Sequence, residues 1–583
     1  MGGVGNRYSD LMMRVPRSAW GRGIHPLRSV ARVIHGRVIH GRVIHESPFP
    51  VWLRGRARVR IMGPMFKDNG SAFKRSWLLL CVVALVLTAC QVPSVPAEPA
   101  PTPTATVTPG PTATPTVPPA WLERDTYRAA MLASAADEVE LLEAPTFYNI
   151  EAFLDAEDDP PRIYALQDTR YTNGTGVPVE RLYFRLFPNK PSFGSALTFE
   201  EVSIAGQEVE LVYEAENTAV GLLLAEPLQP WASVDVHMAY DVTVPVDNAR
   251  GYGTFNYEDG VFVLSNFYAM AAVYDDEGWD LSLAPDYGDP VYAESSFYQV
   301  ELTVPEEMVV VTSGSTLEQV KNDGDSSTWR CVSGPMRDFM IVASERFVSS
   351  SMAVGFVRLN SYYLPEHEQA GEAALGYARD CLRAYQQSFG PYPFAEFDVV
   401  EAPISAGGME YPGLVIIDDG QYANLGAYTE FVVAHEVAHQ WWYSLVGNDQ
   451  VNVPWLDESL TNFSVVYYYE NTYGRSQADL AFESYIASRY EGALSRGRDG
   501  VVFQAVADFE PQDYGPIVYG KGAVFFYELR EALGDALFLD VLQAYLQDRK
   551  YKLSTPDDLL RVAEQVSGQE LDPLYEQWIL SAE

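Results

Sequence analysis

The sequence predicts a multidomain chain in which an N-terminal all-β domain precedes a mainly α, α+β domain. Three observations carry this expectation. Between residues 121 and 345 apolar residues recur mostly with period two, the signature of half-buried strands. From about residue 346 they recur at three and four, as on amphipathic helices. The second region also contains residues 429–447, TEFVVAHEVAHQWWYSLVG, an apolar stretch suited to a buried helix and carrying an HExxH run.

Charge divides the 583-residue chain unevenly. Residues 1–75 hold 15 Lys and Arg against 3 Asp and Glu, and residues 76–90 hold no charge. The remaining residues therefore carry a net charge of −51. So acidic a body argues against nucleic-acid binding, which needs basic patches, and fits a self-repelling surface facing the medium. Residues 1–64 are Arg-rich and repeat Arg-Val-Ile-His three times; they read as a disordered leader or as translation from too early a start.

Residues 65–89 read as a signal peptide. Lys67, Lys74 and Arg75 form a positive n-region before a 13-residue apolar run at 77–89, too short for an ordinary spanning helix. The run ends Leu87-Thr88-Ala89-Cys90, which resembles a bacterial lipobox with Cys90 as the lipidated residue. Residues 90–120 are a Pro/Thr-rich linker, extended and semi-rigid. The expected location is the extracellular face of a bacterial membrane, with the protein held there by the lipid.

Within 121–345, Val234, Val236, Met238, Tyr240, Val242 and Val244 share one strand face, with His237 opposite as a solvated residue. Tyr298, Val300, Leu302 and Val304 repeat the pattern, as do Leu182, Phe184 and Leu186. In the second domain, 346–583, Leu375, Ala378, Leu382, Tyr385 and Phe389 mark a helix ended by Gly390-Pro391, with His367 exposed just before it. Short β segments at 397–402 and 414–417 follow. Cys331 and Cys381 fit either a disulfide or two buried thiols.

His435 and His439 stand at i and i+4, so both imidazoles reach one metal ion from one helix face. Glu436, about 100° around the helix, is displaced from that ion but placed to act on a water beside it. The competing reading is a helix with two satisfied histidines and a surface glutamate. Against it, Glu458 follows after eighteen intervening residues in a second helix, with Asp457 near that helix's start, and supplies a third ligand. Two imidazoles and one carboxylate with an open position suit Zn2+, one per chain. Gly447 stands as the expected helix stop.

HExxH, eighteen residues and Glu together resemble the zinc signature of the M1 (gluzincin) metallopeptidases, typified by aminopeptidase N and leukotriene A4 hydrolase. Gly407-Gly408-Met409-Glu410-Tyr411-Pro412 resembles that family's G-x-M-E-N substrate loop, with Tyr411 in place of the usual Asn. Tyr519-Gly520-Lys521-Gly522-Ala523 resembles its Y-x-K-G-A segment. The resemblance covers roughly 121–583. It implies a β-saddle N-terminal domain, a thermolysin-like catalytic domain and an aminopeptidase acting on extracellular peptides.

By that resemblance His435, His439 and Glu458 hold zinc, Glu436 is the general base and Tyr519 donates to the developing oxyanion. Tyr514 matches a second family tyrosine. Glu410 binds the substrate's free ammonium group, while Gly407, Gly408 and Met409 line the peptide's path. In the family the β domain often adds a glutamine, for which Asn266 is a stand-in here. Only about 60 residues follow Tyr519, which implies a reduced C-terminal cap and keeps a zinc endopeptidase with an open cleft as one alternative. A non-catalytic peptide-binding lipoprotein is the other. The oligomeric state is left open.

Overall fold

The computed structural model describes residues 119–246 and 251–582. The leader, the signal peptide and nearly all of the linker, with Cys90, lie outside the described residues.

An eight-stranded sheet forms the frame of the N-terminal region. Its strands are β1 (Phe147–Asp155), β2 (Arg162–Thr172), β3 (Ala196–Ile204), β4 (Gln207–Glu208), β5 (Ser233–Thr243), β6 (Phe297–Pro305), β7 (Ser315–Lys321) and β8 (Ser326–Val332), in the order β7-β8-β6-β1-β2-β5-β3-β4. The one parallel pairing in this sheet is β1 with β6. The period-two pattern is realised directly: Val236, Met238, Tyr240 and Val242 of β5 are buried, as are Tyr298, Val300, Leu302 and Val304 of β6. His237 lies on the opposite face, where Nδ1 is 2.8 Å from Oδ1 of its cross-strand neighbour Asp168. Two four-stranded sheets, one containing Val261–Ser265, and a two-stranded ribbon of Tyr274–Asp275 with Gly278–Trp279 complete the described part of the region.

A five-stranded sheet opens the second region. It is built from β9 (Val348–Val354), β10 (Val357–Tyr363), β11 (Glu396–Ala402), β12 (Gly408–Met409) and β13 (Leu414–Asp418), in the order β9-β10-β11-β13-β12. Every residue of β11 is buried, as expected for a central strand covered on both faces. The first two strands depart from the helical expectation. Val348–Val354 reads Val-Ser-Ser-Ser-Met-Ala-Val, with its first six residues partly or fully exposed, so an edge strand there leaves no apolar alternation to detect. Conversely, residues 120–140 form short helical turns rather than strands.

Helix α1 (Glu368–Ser388) buries Leu375, Ala378, Leu382 and Tyr385 along one stripe, as the spacing predicts. His367, expected to be exposed, is instead mostly buried, with Nδ1 2.5 Å from Oε1 of the fully buried Glu401. An ionised carboxylate inside the protein needs such a partner. Cys331 and Cys381 are two separate buried thiols.

Helices α2 (Ala427–His439) and α3 (Trp455–Tyr473) are buried around most of their circumference, α3 with several polar residues among its buried ones, and pack against each other. The chain then continues through α4 (Gly522–Leu533), α5 (Asp535–Arg549) and α6 (Pro556–Ser567). Gly447 has a different role from the one expected. Helix α2 stops at His439 and gives way to a wider π turn at Gln440–Leu445. Gly447 lies beyond that turn, where a Cβ would stand 2.1 Å from the Arg337 guanidinium carbon. Its missing side chain makes room for Arg337.

Candidate active site

Helix α2 places His435, Glu436 and His439 in the protein interior, all less than a tenth exposed. Helix α3 crosses it and brings Glu458 to the same point. Nε2 of His435 and Nε2 of His439 are 3.2 Å apart. Oε2 of Glu458 is 3.2 Å from the first and 3.4 Å from the second. A tetrahedral ion with donors at about 2.0–2.1 Å separates neighbouring donors by about 3.3 Å. The triangle therefore has the dimensions of one face of such a tetrahedron. Oε2 of Glu458 is buried and accepts no conventional hydrogen bond, as a metal-facing oxygen should.

The surrounding groups orient the ligands. Nδ1 of His439 is 3.1 Å from Oγ1 of Thr461, which fixes the ring's plane from the far side. Tyr519 donates from its hydroxyl to Oε1 of Glu458 at 2.5 Å, leaving Oε2 for the triad. Ser459 and Asn462 donate to the carbonyls of Val518 and Tyr519, so α3 itself positions the turn that carries Tyr519. Lys521 is structural: Nζ donates to Asp499 Oδ1 and to the carbonyls of Gly500 and Ser581.

Burial pushes the Glu436 carboxyl up to about 8, with Glu458 adding to the shift against the opposing pull of His439. Burial also lowers His435. It acts in the same sense on His439, but Glu410 and Glu458 overcome it and raise that imidazole to about 10. Burial alone would raise Glu458; the charge of His439 and the closeness of both imidazoles hold its carboxyl well below the ordinary range. These groups form a strongly polarised set that a divalent cation would complete.

The glycine-rich loop packs against this set. Gly408 and Met409 form the edge strand β12 beside β13. A Cβ on Gly408 would stand 2.4 Å from Oε1 of Glu436, so only glycine fits there. Gly407 has ordinary space around it. Met409 is buried in the core beneath the loop. Gln440, directly after His439, clamps the loop by donating to the Tyr411 carbonyl and accepting from Gly413 N–H.

Glu410 is buried, accepts from Gln450 Nε2 at 2.8 Å, and is pushed up to about 7 by burial. The same amide donates to Asp457 Oδ2 at 2.9 Å. Sequence reasoning missed Asp289. This buried aspartate belongs to the N-terminal region, and one of its oxygens lies within 4.8 Å of ligand atoms of both Glu410 and Glu458. No motif marks it; it stands in a Pro/Gly/Asp-rich loop, one acidic residue among many. Asn266 adopts φ 47° and is fully buried, with Nδ2 on Ser265 Oγ. Tyr514 is buried against Tyr519 at 5.8 Å between ring centroids, and its hydroxyl has no hydrogen-bond partner.

Residues 373–578 match the model of the peptidase family M1 domain. That stretch is similar to M1 peptidase domains. The chain is 27% identical over 314 residues to Aminopeptidase 2 of Candida albicans, which covers 50% of this chain and 33% of that protein. It is 29% identical over 240 residues to Aminopeptidase N of Lactococcus lactis, covering 38% and 28% respectively. The chain thus spans about a third or less of the length of these curated relatives. Among solved structures, the M1 zinc metallopeptidase of Deinococcus radiodurans aligns over 74% of this chain and 92% of its own, with a TM-score of 0.53 and 19% identity. At that identity the likeness extends to the fold alone: a β-rich region followed by a mainly helical one.

Proposed function

We propose that the protein is a zinc-dependent aminopeptidase that hydrolyses N-terminal residues from peptides. The observation that carries this reading is the pairing of a metal-sized triad with a buried carboxylate cluster beside it. Zinc held by His435, His439 and Glu458 supplies Lewis-acid polarisation and a water of lowered pKa.

Glu436, buried beside the triad, accepts a proton from the attacking water and returns it to the leaving nitrogen. Glu410 and Asp289 face a common point, with ligand oxygens within 4.8 Å of each other. A peptide's α-ammonium group is attracted by both, and an acetylated terminus leaves them buried without that cation. Tyr519 supports the developing oxyanion after its hydroxyl swings away from Glu458 Oε1. Backbone groups of the β12 edge run beside the substrate, where Gly408 leaves room.

The leader supports a second part of the proposal: the enzyme acts on extracellular peptides while tethered by lipid at Cys90. A peptide library presented with free and with acetylated N-termini tests the activity, with Glu436→Gln as the blank and zinc content measured. Loss of single residues from the free form alone is expected. Internal cleavage of both forms would make the protein an endopeptidase, and no cleavage by the zinc-loaded protein would leave a peptide-binding role.

A further inference from the structure

A second cavity lies away from the metal triad. Its volume is about 510 Å³, within the range of small-molecule sites, roughly 300–1,000 Å³. Three parts of the chain enclose it: the segment before β1, the loops at one end of the eight-stranded sheet, and the turn between α5 and α6.

The wall is preformed. The fully buried Arg337 donates to the carbonyl of Ala293 at 3.1 Å and to that of Lys552 at 2.8 Å, and both residues line the cavity. Its Nε donates to the Tyr443 carbonyl at 2.8 Å, so the same guanidinium ties the wall to the turn that follows His439.

Both signs of charge face the space. Arg549 and Lys552 lie on the α5–α6 side, and Glu143 and Glu294 on the other walls. Lys550 is committed to Glu138 at 2.6 Å, and Arg549 pairs with Asp558 at 3.3 Å through Nη2, which leaves its Nε. Among the described residues, Lys552 Nζ makes a long contact, 3.3 Å, to the Asp548 carbonyl. Two polar atoms of the wall residues, Oγ of Ser295 and Nε of Arg549, are buried without a hydrogen-bond partner. Aromatic rings of Tyr171 and Tyr274 supply apolar surface.

We infer that this cavity binds a free zwitterionic amino acid with an aromatic or large apolar side chain. A simple anion would meet Glu143 and Glu294, and a simple cation would meet Arg549 and Lys552. A zwitterion matches both, carboxylate toward Lys552 and Arg549 and ammonium toward the glutamates. Free amino acids are also what the proposed peptidase reaction releases, but the site stands without that reading.

The test is calorimetric titration of the protein with L-phenylalanine, N-acetyl-L-phenylalanine and L-phenylalaninamide. The free amino acid is expected to bind about tenfold or more tightly than either modified form, each of which loses one charge-assisted contact. Lys552→Glu reverses one exposed charge, and Ala144→Trp fills the space from a loop without changing charge. Each is expected to weaken L-phenylalanine binding by about tenfold, while any binding at the metal triad survives both changes. Absence of binding, equal affinity for the three probes, or wild-type affinity in both variants overturns the assignment.

Discussion

A Cβ on Gly408 would stand 2.4 Å from Oε1 of Glu436. The loop and the HExxH helix are thus in contact through an absent side chain, and the Glu436 carboxyl has its place because of that absence. Gly408→Ala forces either the edge strand β12 or the Glu436 carboxyl to move. A displacement of this size is expected to reduce kcat by about a hundredfold. Zinc content, read by elemental analysis, should stay at the wild-type level, because none of the three ligands touches the new methyl group.

The metal triad gives a stability prediction. Oε2 of Glu458 faces two imidazole nitrogens at 3.2 and 3.4 Å, a buried set that lacks its cation when the metal is stripped. Chelation should lower the unfolding midpoint, and restoring zinc at a hundredfold excess over its Kd should add about 2.7 kcal/mol. Glu458→Gln should abolish most of that zinc-dependent increment. Equal midpoints with and without chelator would show that the triad holds no metal.

Much of this site was legible before the fold was known. The i, i+4 spacing of His435 and His439 needs only helix geometry to become a chelate. Glu458 was legible through its distance from that pair. Asp289 was not, because nothing local distinguishes one aspartate in a loop from the others; only tertiary packing brings it to Glu410. The strands at 348–363 stayed hidden for a related reason, since Ser349, Ser350 and Ser351 carry no apolar alternation. Gly447 was legible as a special position but not for the right cause, which is the guanidinium of Arg337, a residue of the preceding β domain.

The carboxylate cluster predicts a specificity effect. Glu410 and Asp289 lie within 4.8 Å of each other through their ligand oxygens, and both are buried. Glu410→Gln and Asp289→Asn should each raise KM for peptides with free N-termini by about tenfold or more. The double variant should lose less than the sum of the two, because both groups serve one ammonium. Steady-state kinetics on one peptide and its acetylated form checks this; equal losses on both forms would remove the ammonium role.

The last prediction concerns pH and lies outside the metal site. Asp338 is fully buried and accepts from the Tyr443 hydroxyl at 2.6 Å through Oδ2, while Oδ1 has no hydrogen-bond partner. Burial pushes its carboxyl up to about 7, although the Tyr443 bond and Arg337 pull the other way. The folded protein therefore keeps this proton up to about pH 7, whereas the unfolded chain releases it near pH 4. Between those values the folded state binds more protons, so this group's contribution to stability is full below about pH 4 and is lost as pH rises to 7. The size is on the order of a few kcal/mol. Asp338→Asn keeps an oxygen for Tyr443 but has no proton to lose. Denaturant unfolding at a series of pH values between 4 and 7 should show the wild type losing stability relative to the variant as pH rises, and a constant difference across that window would refute the assignment.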